Sequence, residues 1–255
     1  MSSPRFLFIA VCALAVLGQS ASAIQVLLNP TKDAFVSSAN ATNNYGKAGA
    51  LLVNANAPAT LTKGEFDSLL QFNLVSAKTA FDLQFGVGNW VIQSIKLQLT
   101  SAPPNNSLFN IPAAAGQFTF TWMQNDSWTE GTGTPPAPTT TGITYATLPG
   151  FLSGSDEVLG TYSFGGGTSG NTTYNLGLTT NFRADANAGN AVSLLALPAD
   201  SVIVYTANSQ DNTTPTNRPV LTITAEVPEP GIPSLLLSGV GGWLLHRRRS
   251  LRQRA

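Results

Sequence analysis

Ser94-Ile95-Lys96-Leu97-Gln98-Leu99-Thr100 and Gln117-Phe118-Thr119-Phe120-Thr121-Trp122 alternate polar and apolar side chains without a break. Successive side chains of an extended chain point to opposite faces, so Ile95, Leu97 and Leu99 share one face, as do Phe118, Phe120 and Trp122. That is the pattern of a strand with one side in a core and the other toward water. Working outward, Leu70, Phe72 and Leu74 alternate with Gln71 and Asn73, and Leu221 and Ile223 with Thr222 and Thr224. Residues 24–28, 34–37, 51–54, 159–164, 192–197 and 202–205 add shorter strand candidates. Connectors rich in Asn, Gly, Pro and Thr separate them, as turns require. Helical spacing occurs only around 179–188, where Leu178, Phe182 and Ala186 recur every four residues, predicting one short helix that ends at Gly189. About ten short strands in roughly 200 residues predict an all-β sandwich or barrel. Strand-like sequence lies on both sides of 135–138 and 165–170, so these read as loops within a single domain.

The two ends follow other rules. Met1 to Arg5 carries one positive charge, residues 6–17 are an unbroken apolar run, and Ala21-Ser22-Ala23 supplies small side chains. This is the layout of a signal peptide, residues 1–23, with cleavage expected after Ala23. Cys12 lies inside the apolar run after Val11, which does not fit a lipoprotein site. At the other end, 227–255, Val227-Pro228-Glu229-Pro230 precedes an apolar run at 232–245 and then Arg247, Arg248, Arg249, Arg252 and Arg254. The 14-residue run would be about 21 Å long as a helix, against a hydrocarbon core of about 30 Å, so it spans only thinly, with arginines snorkelling at its end. Each arginine costs about 2.5–3.5 kcal/mol at the membrane centre, which keeps the tail cytoplasmic and the body outside. The ordered triplet of Pro228-Glu229-Pro230, apolar helix and arginine cluster resembles the PEP-CTERM sorting signal. The resemblance implies an exosortase-type processing enzyme as partner. It also implies transient anchoring in the inner membrane, then release to the cell surface or extracellular matrix of a polysaccharide-producing Gram-negative bacterium. An ordinary C-terminal anchor that is never cut has the same topology.

Setting the ends aside changes the charge. Residues 24–226 hold 7 Lys+Arg against 12 Asp+Glu, a net −5, although the whole chain sums to zero. Nucleic acid and anionic lipid require clustered positive charge and are excluded as natural partners; neutral polysaccharides suit this body better than strongly anionic ones. The only Cys (Cys12) and the only His (His246) lie in the ends. The body therefore has no disulfide, no Ser/His/Asp or Cys/His catalytic device and no His/Cys zinc site, and at this length it can bury a sufficient core unaided.

Several pieces of the body resemble DNRLRE-type domains, in order along nearly its whole length. They are Asp33-Ala34-Phe35-Val36-Ser37-Ser38, Asn43-Asn44-Tyr45-Gly46, Leu51-Leu52-Val53 and Ser68-Leu69-Leu70-Gln71-Phe72-Asn73-Leu74. The strand from Ile92 to Leu99, Trp128-Thr129-Glu130-Gly131 with Gly142-Ile143-Thr144-Tyr145 and Leu148-Pro149, and the closing Asn217-Arg218-Pro219-Val220-Leu221-Thr222-Ile223 complete the series. Tyr145 stands where that family more often has tryptophan. The resemblance implies a jelly-roll sandwich related to carbohydrate-binding modules.

Candidate chemistry is sparse. Two carboxylates of a glycosidase must face each other about 5–9.5 Å apart; Asp126 and Glu130 are the sequence candidates for a polysaccharide-degrading alternative, while adjacent Asp156 and Glu157 would point to opposite faces. No cofactor is expected beyond a structural calcium of the kind jelly rolls often hold through carboxylates, here with Asp33 and Asp67 as candidate ligands. Glycan contact calls for an aromatic platform beside Asn, Asp or Gln; Tyr45, Trp128 and Tyr145 are the candidates, with Tyr45 and Tyr145 read as the exposed rings and Trp122 and Trp128 as core. The expectation is a non-enzymatic, exported surface or matrix protein, structural or adhesive, with weak polysaccharide contact. A ligand-free structural surface protein is the further alternative.

Overall fold

The computed structural model describes residues 23–55, 63–104 and 110–228. The signal-peptide residue Ala21, Glu229, Pro230, the apolar run 232–245 and Arg247, Arg248 and Arg249 lie outside them. Among the described residues no helix is long and apolar enough to cross a membrane.

The two opening stretches become β5 (Val91–Thr100) and β6 (Gly116–Met123), and they lie in different sheets. The four-stranded sheet runs β1 (Ile24–Leu28), β11 (Val220–Glu226), β5 and β8 (Asn171–Leu176). The larger sheet runs β10 (Val204–Asn208), β3 (Ala50–Asn54), β4 (Phe66–Asn73), β9 (Ala191–Pro198), β6 and β7 (Glu157–Phe164), with β2 (Lys32–Ser37) also paired to β4. Every pairing is antiparallel. The order β1-β11-β5-β8 against β4-β9-β6-β7 is that of a jelly-roll sandwich, with β2, β3 and β10 added at one edge. β3 meets the β4 backbone only at Asn54 and Phe66, and the Ser68 hydroxyl closes part of the gap. It accepts from the Leu52 amide at 2.8 Å and donates to the Leu52 carbonyl at 2.7 Å.

The alternating residues face one another as expected. Leu70, Phe72, Ile95, Leu97, Leu99, Phe118, Phe120, Trp122, Leu221 and Ile223 belong to the core between the sheets. A second apolar layer lies on the other side of the large sheet. There Ala34, Val36, Leu69, Met123 and Leu195 are covered by Trp128, Ile143 and Leu148 from the segment after β6. With both faces covered, β4 and β9 carry adjacent apolar residues, Leu69-Leu70 and Leu194-Leu195, instead of strict alternation.

The expected helix is present as α2 (Thr180–Ala188), closed by Gly189 in the left-handed conformation. Three elements depart from expectation. A second helix, α1 (Val75–Phe85), buries only Ala77 and Phe81 and leaves Leu83 exposed, so its sequence carries almost no amphipathic signal. β8, absent from the expected strands, is a strand because β5 offers it a partner and Tyr174 and Leu176 a core face. β10 begins at Val204 rather than 202 because the Asp200 carboxylate accepts from the Val202 and Ile203 amides and makes a turn there.

Candidate functional site

The candidate aromatic rings lie below the surface to differing depths. Tyr45 is 2 % exposed, a correction to its reading as an exposed ring; it stacks on Phe35 with centroids 4.8 Å apart. Trp128 is 0 % exposed, its Nε1 donating to Ser193 Oγ at 2.9 Å and its ring beneath the Lys32 ammonium. A sugar platform needs a bare ring face, which neither residue has. Tyr145 is half-buried against the outer apolar layer, and burial, with Glu65 and Asp67 nearby, pushes its phenol up.

Asn44 draws two of the motif segments together. Its Nδ2 donates to the carbonyls of Glu130 (2.6 Å) and Ile143 (2.7 Å), and its Oδ1 accepts from the amides of Gly46 (3.1 Å) and Gly133 (3.0 Å). Backbones approach so closely here that a Cβ on Gly133 would sit 1.9 Å from the Asn44 carbonyl oxygen. Asn43-Asn44-Tyr45-Gly46 and Trp128-Thr129-Glu130-Gly131 are thus two halves of one buried joint.

At its edge lies a group of carboxylates. Asp33, Glu130 and Asp211 each offer an oxygen within 4.8 Å of the others. Lys47 Nζ pairs with Glu130 (2.6 Å) and Asp211 (3.2 Å), the Gln210 side-chain amide donates to Glu130, and the Gln210 backbone amide donates to Asp33 at 2.6 Å. Burial, helped by the charges of Glu130 and Asp211, pushes the Asp33 carboxyl up to about 8. Asp33 thus has acidic company suited to a hard cation. Asp67 does not share it: it lies opposite Val36 while Asp33 lies opposite Leu70, about 10 Å away along the strands.

Asp126 and Glu130 do not face each other across a cleft. Glu130 is held by Lys47, Gln210 and the Asp33 amide. Asp126 instead lines an open cleft of ≈ 410 Å³ with Trp122, Gln124, Asn181, Asp185 and Asn190. β6 supplies the tryptophan, the strand's exit supplies Gln124 and Asp126, and α2 and its C-terminal turn supply the rest. Glu157 of β7 fixes α2 by accepting from the Asn181 and Phe182 amides. Burial lifts the Asp126 carboxyl above its ordinary range, with Asp185 adding and Ser193 and Lys32 opposing. Trp122 Nε1 and Asp126 Oδ1 are shielded and without hydrogen-bond partners. The size is that of a small-molecule site, and the lining is of amide and carboxylate groups, with the Trp122 ring buried beneath them. Sequence reading missed Asn181, Asp185 and Asn190, which looked like ordinary helix and turn residues, and Lys47 and Asp211, which no motif included.

A jelly-roll sandwich carrying a polar cleft of amide and carboxylate groups at its edge has the form of a sugar-binding module. The chain belongs to carbohydrate-binding module family 96, whose family model matches residues 24–225. Such a family is non-catalytic, in keeping with the separation of Asp126 from Glu130. No curated protein matches the chain at a significant level.

Proposed function

We propose that this is an exported surface or extracellular-matrix protein, structural or adhesive, that holds polysaccharide weakly through the cleft between β6 and α2. The observation that carries the reading is the match of nearly the whole body to a carbohydrate-binding family. The cleft lining supports a neutral, hydroxyl-rich glycan. Gln124, Asn181 and Asn190 can both donate and accept, whereas Asp126 and Asp185 would repel uronic acids or sulfates. Delivery follows from the ends: signal peptidase cleavage after Ala23, membrane retention by 232–245, and exosortase-type processing at Pro228-Glu229-Pro230. Glycan-array and affinity-electrophoresis measurements on the purified protein should show binding to neutral chains that drops at least about tenfold in the Asn181→Ala/Asp185→Ala double variant. Equal binding by that variant would move the site elsewhere, and no binding to any glycan would favour a purely structural role. Mass spectrometry of the mature protein should find Ile24 at the N-terminus and an end near Pro228. An intact 255-residue chain in the cytosol would defeat the export reading.

A further inference from the structure

Three segments distant in sequence bring acidic groups to one point beside β2. Asp33 is in that strand, Glu130 follows the buried Trp128, and Asp211 sits in the turn after β10. Each contributes one carboxylate oxygen, and the three lie within 4.8 Å of one another. Three carboxylates so close repel strongly when all are ionised, unless a cation compensates them. The nearby ammonium of Lys47 bridges Glu130 and Asp211, yet its side chain is 39 % exposed and reaches in from the solvent side.

The compensation is incomplete on the buried side. Asp33 is only 1 % exposed, and while its Oδ2 accepts from the Gln210 amide, its Oδ1 has no partner. Asp211 Oδ2 is likewise shielded and unpartnered. Native interiors rarely leave carboxylate oxygens in this condition, since the desolvation cost goes unmatched. A cation among the three residues would supply what both oxygens lack. Its character follows from the donors: oxygen only, three carboxylates, and no His or Cys anywhere in 24–226. That set excludes a preference for zinc or copper. Ligands carried on two loops and a strand give irregular, adaptable geometry, which suits calcium better than the small, strictly octahedral magnesium ion.

We infer that Asp33, Glu130 and Asp211 form a calcium site that Lys47 occupies as a displaceable stand-in, its ammonium leaving for solvent when the metal enters. Calcium then ties together β2, the segment after Trp128 and the turn after β10, and strengthens the joint organised by Asn44. The inference stands apart from the glycan cleft, and its test does not read glycan binding.

The full chain, stripped with EDTA, is melted with and without 2 mM calcium chloride, and calcium binding is measured by titration calorimetry. The expected result is one site per chain and a rise in Tm of about 4 °C or more, the shift expected for about 1–2 kcal/mol of ligand stabilisation in a domain of this size. Asp211→Asn, partly exposed and tolerant of the change, should abolish the shift; Asp33→Asn should do so too, with far-UV circular dichroism checking that each variant is folded. Lys47→Met, which removes the competitor, should tighten calcium binding about five- to tenfold. No calcium-dependent shift in either the unaltered chain or Lys47→Met overturns the inference, as does a shift that equal magnesium reproduces or that persists in folded Asp211→Asn.

Discussion

At the scale of single residues, polar groups placed where water cannot reach them dominate. Asn44 satisfies four backbone groups from three segments through its carboxamide, which offers both a two-proton donor and an acceptor at that point. Asn44→Ala should therefore lower the free energy of unfolding by about 2–4 kcal/mol, measured by urea titration; a loss under 1 kcal/mol would mean that the joint is held by packing alone. Asp67 makes a different case. Burial, with Glu65 adding, raises its carboxyl to about 7, while in the unfolded chain it titrates near 4. The folded state then holds the proton more tightly, so this residue's contribution is full below about pH 4 and declines as pH rises toward 7. Asp67→Asn should remove that decline and add about 1–3 kcal/mol at pH 8 with little change at pH 4. An unaltered pH profile would show that Asp67 is not the residue responsible.

At the scale of elements, the cleft depends on α2 keeping its place beside β6. The helix is nine residues long and could not persist alone. Its first turn is held from another element, through the Glu157 carboxylate on the Asn181 and Phe182 amides; burial raises that carboxyl, but these bonds and the one from the Thr179 hydroxyl outweigh it and hold it below its ordinary range. Phe182 and Ala186 anchor the same helix in the core. Glu157→Ala should cost about 1–2 kcal/mol and weaken glycan binding in parallel, because Asn181 and Asp185 would lose their fixed position. Loss of stability with glycan affinity intact would mean that the helix does not shape the binding surface. The same reasoning explains why the region was hard to read in sequence: a cap supplied from 24 positions away leaves no local signature.

At the scale of the molecule, the body is an acidic sandwich with a polar cleft. The net −5 of residues 24–226 should make its binding favour neutral over uronic-acid polymers and make any residual binding to the latter increase with salt, which affinity electrophoresis in varied sodium chloride would reveal. Much of the architecture was legible beforehand. Alternation in β5 and β6 specified half-buried strands, four-residue spacing specified α2, and the loss of every Cys and His to the ends removed whole classes of chemistry. These features are readable because they depend on period and composition, which a chain carries locally. What escaped depended on partners. β8 is a strand because β5 presents an open edge, and α1 is a helix with scarcely an apolar face. Tyr45, read as an exposed ring, is covered by segments that arrive from elsewhere. The acidic cluster joins residues 33, 130 and 211, and the cleft joins residues 122 to 190. A sequence states which side chains are available and how often they recur; which of them meet, and which lose contact with water, is set by long-range packing, and only the folded chain fixes that.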